Sequence, residues 1–246
     1  MARIDVTITT ADGEAGAGLH LPDGDGPWPG VILYPDAGGA RETFSQMGDR
    51  MAGLGYATLV PDIYYRSGGY EPFDMKTVFA DDAERGRLMG LIGTMSNERI
   101  IADADRYLAF LLDRPEVSGS AVGTTGYCMG GRTSMLVAGA HPDRVAAAAS
   151  FHGGRLAPAD DPNSPHLLAG NITATVYVAG AAEDASFPED QFTRLDEALT
   201  AAGVTHTVVT YPAHHGVAVP DNPTFDHDAA ERHWAALAEL YGATLG

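Results

Sequence analysis

Three side chains in this 246-residue chain have the chemistry for acyl transfer, and each sits in its own short motif. The only cysteine, Cys128, lies in Gly126-Tyr127-Cys128-Met129-Gly130-Gly131. An acid follows in Gly180-Ala181-Ala182-Glu183-Asp184, and a histidine in Tyr211-Pro212-Ala213-His214-His215-Gly216. A free thiol is mostly protonated at neutral pH and attacks slowly. An imidazole within hydrogen-bond reach removes that limit, and a carboxylate fixes its tautomer and stabilises its cation. Nucleophile, acid, histidine is also the chain order of an α/β-hydrolase triad. We therefore assign Cys128 as nucleophile, His215 as base and then acid, and Asp184 as the orienting carboxylate.

Each assignment has a rival. A lone cysteine is commonly a small buried apolar residue, and only the downstream partners argue otherwise. Glu183 competes with Asp184, although such acid loops usually carry the working carboxylate four residues past the glycine. His214 competes with His215, and the small Gly216 favours the latter. Adjacent histidines suggest a metal, but consecutive residues seldom converge on one ion and no H-E-x-x-H spacing occurs, so no metal is expected. The developing oxyanion needs donors: the backbone N–H of Met129, directly after the nucleophile, and that of Ala37 in the early loop Pro35-Asp36-Ala37-Gly38-Gly39. Asp36 in that loop reads most simply as a turn carboxylate. His152, after another strand, is a pocket residue or a structural one.

These motifs need a scaffold that ends strands at one edge. Ala121 to Thr125 suits a strand and Arg132 to Ala140 a helix, so Cys128 occupies a sharp strand-turn-helix elbow with small residues at minus two, plus two and plus three. There the free N–H groups and dipole of the helix favour a thiolate. Arg3 to Thr10 and Ala15 to Leu21 read as an antiparallel hairpin. Gly30–Tyr34, Tyr56–Val60, Val145–Phe151, Thr173–Ala179 and Thr205–Tyr211 read as further strands. Helices are expected over Glu42–Leu54, Asn97–Leu112, Pro188–Ala202 and Thr224–Tyr241. Ser67 to Asp82 has no period and is rich in glycine and aromatics, which suits a cover over a site. The alternation predicts one domain over 1–246, a mostly parallel sheet covered on both faces. In such sheets function gathers in loops at the strands' carboxyl ends.

Composition narrows the partners. The net charge is −18, and Lys76 is the only lysine among 15 basic residues. That surface excludes nucleic acid as a partner and is simplest as a solubilising coat. One cysteine excludes an internal disulfide. No segment approaches the ~20 apolar residues of a membrane span, and Met-Ala-Arg-Ile-Asp is not a targeting run. A cytoplasmic monomer or small homo-oligomer, with no membrane partner, is expected.

The motifs resemble the dienelactone hydrolase family of α/β-hydrolases. The resemblance rests on residues 126–131, on Gly55-Tyr56 through Pro61-Asp62-Ile63-Tyr64-Tyr65-Arg66, on the Asp184 loop, and on residues 211–216. It implies an α/β-hydrolase fold and a cofactor-free cysteine hydrolase, carboxymethylenebutenolidase-like, that opens small enol-lactones or esters. It also implies that an early-loop acid, here Asp36, pairs with the resting thiol. Substrate-carboxylate arginines in the family fall four residues after the catalytic histidine, where this chain has Val219, and in a helix that Arg85 or Arg87 would match. Arg85, Arg87, Tyr64 and His152 are thus the candidates for substrate contact, and apolar Val217-Ala218-Val219 suits a neutral ester. Other readings are a thioesterase or acyltransferase on the same triad, or a non-catalytic hydrolase-like binding protein.

Overall fold

The structure, a computed structural model, describes residues 2–246. Eight strands form one sheet in the order β1-β2-β4-β3-β5-β6-β7-β8. They are β1 (Ala2–Thr10), β2 (Gly13–Leu21), β3 (Trp28–Tyr34), β4 (Ala57–Pro61), β5 (Val117–Tyr127), β6 (Val145–Phe151), β7 (Thr175–Glu183) and β8 (His206–His214). The expected hairpin is present: β1 pairs antiparallel with β2, and β2 antiparallel with β4, while every other pair is parallel. The chain therefore leaves β3 toward β4 on one side and later returns to β5 on the other. A sheet whose strand order reverses at that point opens a crevice at the carboxyl ends of the two strands.

The apolar pattern explains why both faces are covered. Along β3, Ile32 and Tyr34 enter one core, and Val31 and Leu33 the other. Strands buried on both sides read as continuous apolar runs, as Val31 to Tyr34 does. On the first face lie α3 (Asn97–Leu112), α4 (Met129–Ala140) and α5 (Glu189–Ala201), which contribute Leu108, Leu136 and Leu195 among others. The second face is covered by α1 (Glu42–Gly53) and α6 (His227–Thr244), through Phe44, Met51, Trp234 and Leu237. Local signals set the helix starts. Ser96 caps α3 by accepting from Arg99 N–H, and Asp226 caps α6 by accepting from Ala229 N–H.

One helix differs from expectation. Asp82–Ile92 forms α2, where the sequence reading stops at Asp82. Its apolar face is a single buried residue, Leu88, so no 3.6-residue stripe advertises it. Asp81 starts it by accepting from the Ala83 and Glu84 N–H groups. The irregular segment before it packs Phe73, Met75 and Val78 together with Leu88 against Ala37. The segment thus rests on the early loop, and none of its residues lines the cavity beside Cys128.

Candidate active site

Strand register places the three chemical side chains. On β7 and β8, Glu183 pairs with His214, so Asp184 and His215, one residue further on each strand, emerge side by side. Asp184 Oδ2 accepts from His215 Nδ1 at 2.7 Å. The other oxygen, Oδ1, accepts from Ser186 N–H at 2.8 Å and from Ser186 Oγ at 2.6 Å. The carboxylate is 2% exposed, so its orientation is fixed by these donors rather than by water. Glu183 and His214, the rival pair, lie 3.3 Å apart but on the surface, 71% and 57% exposed.

Cys128 caps β5, held by its N–H to the Phe151 carbonyl at 3.1 Å. Its φ is 54° and its ψ −115°, a conformation that L-residues avoid and that surrounding structure must enforce. The glycines show how. A Cβ on Gly126 would collide with the Gly130 carbonyl, one on Gly130 with the Tyr34 and Pro35 carbonyls, and one on Gly131 with Ser150 Oγ. Strand and helix meet too closely for any side chain at these three positions, as the elbow predicts. The thiol and the His215 ring line the same cavity and interact electrostatically.

The charges of these groups interlock. Burial disfavours the His215 imidazolium, but its hydrogen bond to Asp184 and its interactions with Asp184 and the nearby Cys128 outweigh that and push its pKa up to about 10. Burial would raise the Asp184 pKa, yet the bonds from His215 and Ser186 bring it below the usual carboxylate value. Cys128, Asp184 and His215 all line one cavity of about 460 Å³. Ala37 and Met129 line it too, and their N–H groups donate to no other described residue. Free donors facing a cavity beside a thiol have the makings of an oxyanion hole. Among the described residues no group of three or more His, Cys, Asp or Glu is placed to hold a metal ion. No helix there is long and apolar enough to cross a membrane.

Several sequence candidates fall elsewhere. Arg85 bonds Asp82 and the Phe79 carbonyl at the surface. Arg87 bonds Glu84 and the Glu71 carbonyl and lies over the Phe73 ring, facing a separate groove. Neither faces the cavity of Cys128, because α2 turns both toward its own acidic first turn. Tyr64 is fully buried and donates to the Ala37 carbonyl at 2.8 Å, so it props the early loop instead of meeting a ligand. His152 is buried behind His215, the ring centroids 5.1 Å apart. Burial and the neighbouring histidines hold it well below its ordinary pKa, a neutral ring. Val217, Ala218 and Val219 pack into the core under α6 and do not reach the cavity. Asp36 gives its carboxylate to Arg41 and to Gly38 N–H, and the thiol is not among its hydrogen-bond partners.

The cavity wall also holds residues that sequence reasoning missed: Ile92, Met95, Ile100, Arg132 and Arg155. Arg132 carries a local signal, since it follows Cys128 by one helical turn. The others have none, because the end of α2, the start of α3 and the loop after β6 reach the site only through tertiary packing.

A strained turn at Cys128 after the central parallel strand β5, with an acid after β7 and a histidine after β8, is the arrangement of an α/β-hydrolase. The dienelactone hydrolase family model matches residues 16–245, and the chain belongs to that family. A protein of Methylorubrum extorquens named "Putative carboxymethylenebutenolidase" is 26% identical over 241 residues, covering 96% of this chain and 79% of the relative. A Synechocystis protein of the same name is 28% identical over 249 residues, covering 98% and 96%. The crystal structure of a Klebsiella pneumoniae protein named "Putative Dienelactone Hydrolase" superposes with a TM-score of 0.84 at 25% identity, covering 98% of both chains. The chain is thus a hydrolase of the dienelactone hydrolase type.

Proposed function

We propose that the protein hydrolyses a small carboxylic ester or lactone through a thioester on Cys128. The observation that carries this is the pairing of His215 with Asp184 at 2.7 Å in the same cavity that the Cys128 thiol lines. The thiolate attacks the carbonyl carbon and forms the C–S bond, and the carbonyl electron pair moves to oxygen beside the Ala37 and Met129 N–H groups. Collapse expels the alkoxide or enolate, which takes the imidazolium proton of His215. Water then attacks the thioester while His215 accepts its proton, and the thiolate leaves. The balance is ester plus water to acid plus alcohol; from a lactone both products stay in one molecule.

The experiment is a hydrolysis screen of short 4-nitrophenyl esters, simple lactones and matched thioesters against wild type and Cys128→Ala. Turnover of an oxygen ester or lactone that disappears in Cys128→Ala supports the reading. Retained turnover in the variant defeats the cysteine assignment. A preference for the thioester would turn the reading to a thioesterase on the same residues.

A further inference from the structure

His152 is absent from the cavity lining, yet its ring packs against the ring of His215. The centroids are 5.1 Å apart and the planes inclined at 66°, an ordinary geometry for packed aromatic rings. The same ring meets Tyr127, the residue before Cys128, at a centroid distance of 6.0 Å. Tyr127 is fixed in turn. His233 Nδ1 donates to the Ala230 carbonyl on α6, so its Nε2 accepts from the Tyr127 hydroxyl at 3.0 Å. A run of rings thus connects α6, through Tyr127 and His152, to His215.

The backbone at this point joins the same parts. The Phe151 carbonyl accepts from Cys128 N–H at 3.1 Å, and the N–H of His152 donates to the Ala179 carbonyl at 2.8 Å. The end of β6 is therefore tied to the nucleophile turn and to β7, the strand that leads to Asp184. His152 has φ 40°, a left-handed conformation that a non-glycine residue keeps only where its surroundings enforce it. The residue is 2% exposed, and neither ring nitrogen has a hydrogen-bond partner among the described residues. Such a side chain holds its neighbours by ring contact alone. Burial, with His215 and His233 nearby, outweighs Asp184 and keeps the ring neutral, so it sets no charge against the His215 cation. His215 needs such a wall. Its bond from Nδ1 to Asp184 fixes one point of the ring and leaves its tilt free.

Resting on the hydrolase reading above, we propose that His152 is a positioning residue whose flat ring backs His215 and sets its tilt and distance toward Cys128. It acts through His215 and Tyr127 and meets no substrate. Strain and burial at residue 152 thereby serve the alignment of base and nucleophile, which proton transfer requires within a fraction of an ångström.

The test takes the shape of the ring as its variable. His152→Phe keeps a flat ring. His152→Gly removes it, and glycine accepts φ 40° without strain. Folded variants are assayed with 4-nitrophenyl acetate and labelled with iodoacetamide at pH 6, which reads Cys128 alone because the chain has one cysteine. His152→Gly should lower kcat roughly 10²-fold with KM little changed. Labelling should slow roughly tenfold, because a thiol without a well-placed imidazole is protonated more of the time. His152→Phe should restore most of both. Should His152→Gly fail to fold, His152→Leu fills the space without a flat face and should show the same losses. Wild-type kcat and labelling in a folded His152→Gly or His152→Leu would overturn the proposal, even with a lower melting temperature. So would a His152→Phe that loses as much as they do. A wild type that turns over no ester would count against the hydrolase reading, and the labelling rates would still decide the role of His152.

Discussion

Arg41 grips both oxygens of Asp36, Nη1 to Oδ1 at 2.7 Å and Nη2 to Oδ2 at 3.0 Å. The same guanidinium reaches Asp221 at 2.7 and 2.8 Å, so the early loop carrying Ala37 is tied to the loop that follows His215. Arg41 and Asp36 are 5% and 4% exposed, too dry for water to replace either partner. Removing one member of a buried pair strands the other, at about 3–5 kcal/mol. Arg41→Met should therefore lower stability by about 3 kcal/mol or more, read from urea melts. A midpoint equal to wild type would show that the clamp contributes nothing.

The same grip bears on the thiol. Both Asp36 oxygens are held by Arg41, and the thiol is not among its hydrogen-bond partners, so labelling of Cys128 is expected to respond to the Asp184–His215 pair more than to Asp36. Asp36→Asn should move the pH midpoint of iodoacetamide labelling at Cys128 less than Asp184→Asn does. The reverse order would return Asp36 to the thiol.

Backbone strain at Cys128 gives an inverted stability order. Glycine normally costs about 0.5–1 kcal/mol relative to alanine, but a non-glycine held at φ 54° costs of order 1–3 kcal/mol. Cys128→Gly should melt higher than Cys128→Ala, although both lose turnover. Thermal melts of the two variants decide this, and the ordinary order would mean the elbow is relaxed.

The Asp184–His215 pair makes a pH prediction of definite sign. His215 binds its proton more tightly folded, with a pKa of about 10, than unfolded, near 6.5. Its stabilising contribution is complete below about pH 6.5 and fades as pH rises toward 10. Asp184 runs the other way: its lowered pKa adds stability above its ordinary value of 3.8, and that addition fades as pH falls below it. Asp184→Asn should bring the His215 titration, followed by NMR, to lower pH and cut turnover by roughly 10³-fold or more. A His215 midpoint that does not move would uncouple the two residues.

Gly130→Ala tests the close approach of strand and helix. The new methyl would meet the Tyr34 and Pro35 carbonyls, which are backbone and have no rotamer to yield. Loss of soluble folded protein, or destabilisation of at least ~3 kcal/mol, is expected from overpacking against main chain. A variant that folds normally would mean the two segments can part.

Sequence alone settled what each local motif must do. Gly126, Gly130 and Gly131 around Cys128 carry the elbow, because a turn that tight excludes side chains at fixed offsets along the chain. The positions of Asp184 and His215 were legible for a related reason: each follows the end of a strand in a sheet of known polarity. Helix α2 was not legible, since only Leu88 of it is buried and no periodic stripe results. Nor was the clamp in which Arg41 donates both to Asp36 and to Asp221, 180 residues away. The cavity wall of Ile92, Met95, Arg132 and Arg155 was likewise decided only by the fold. Side chains on different elements meet through packing of whole helices against the sheet, and such meetings leave no spacing in the chain for a reader to find.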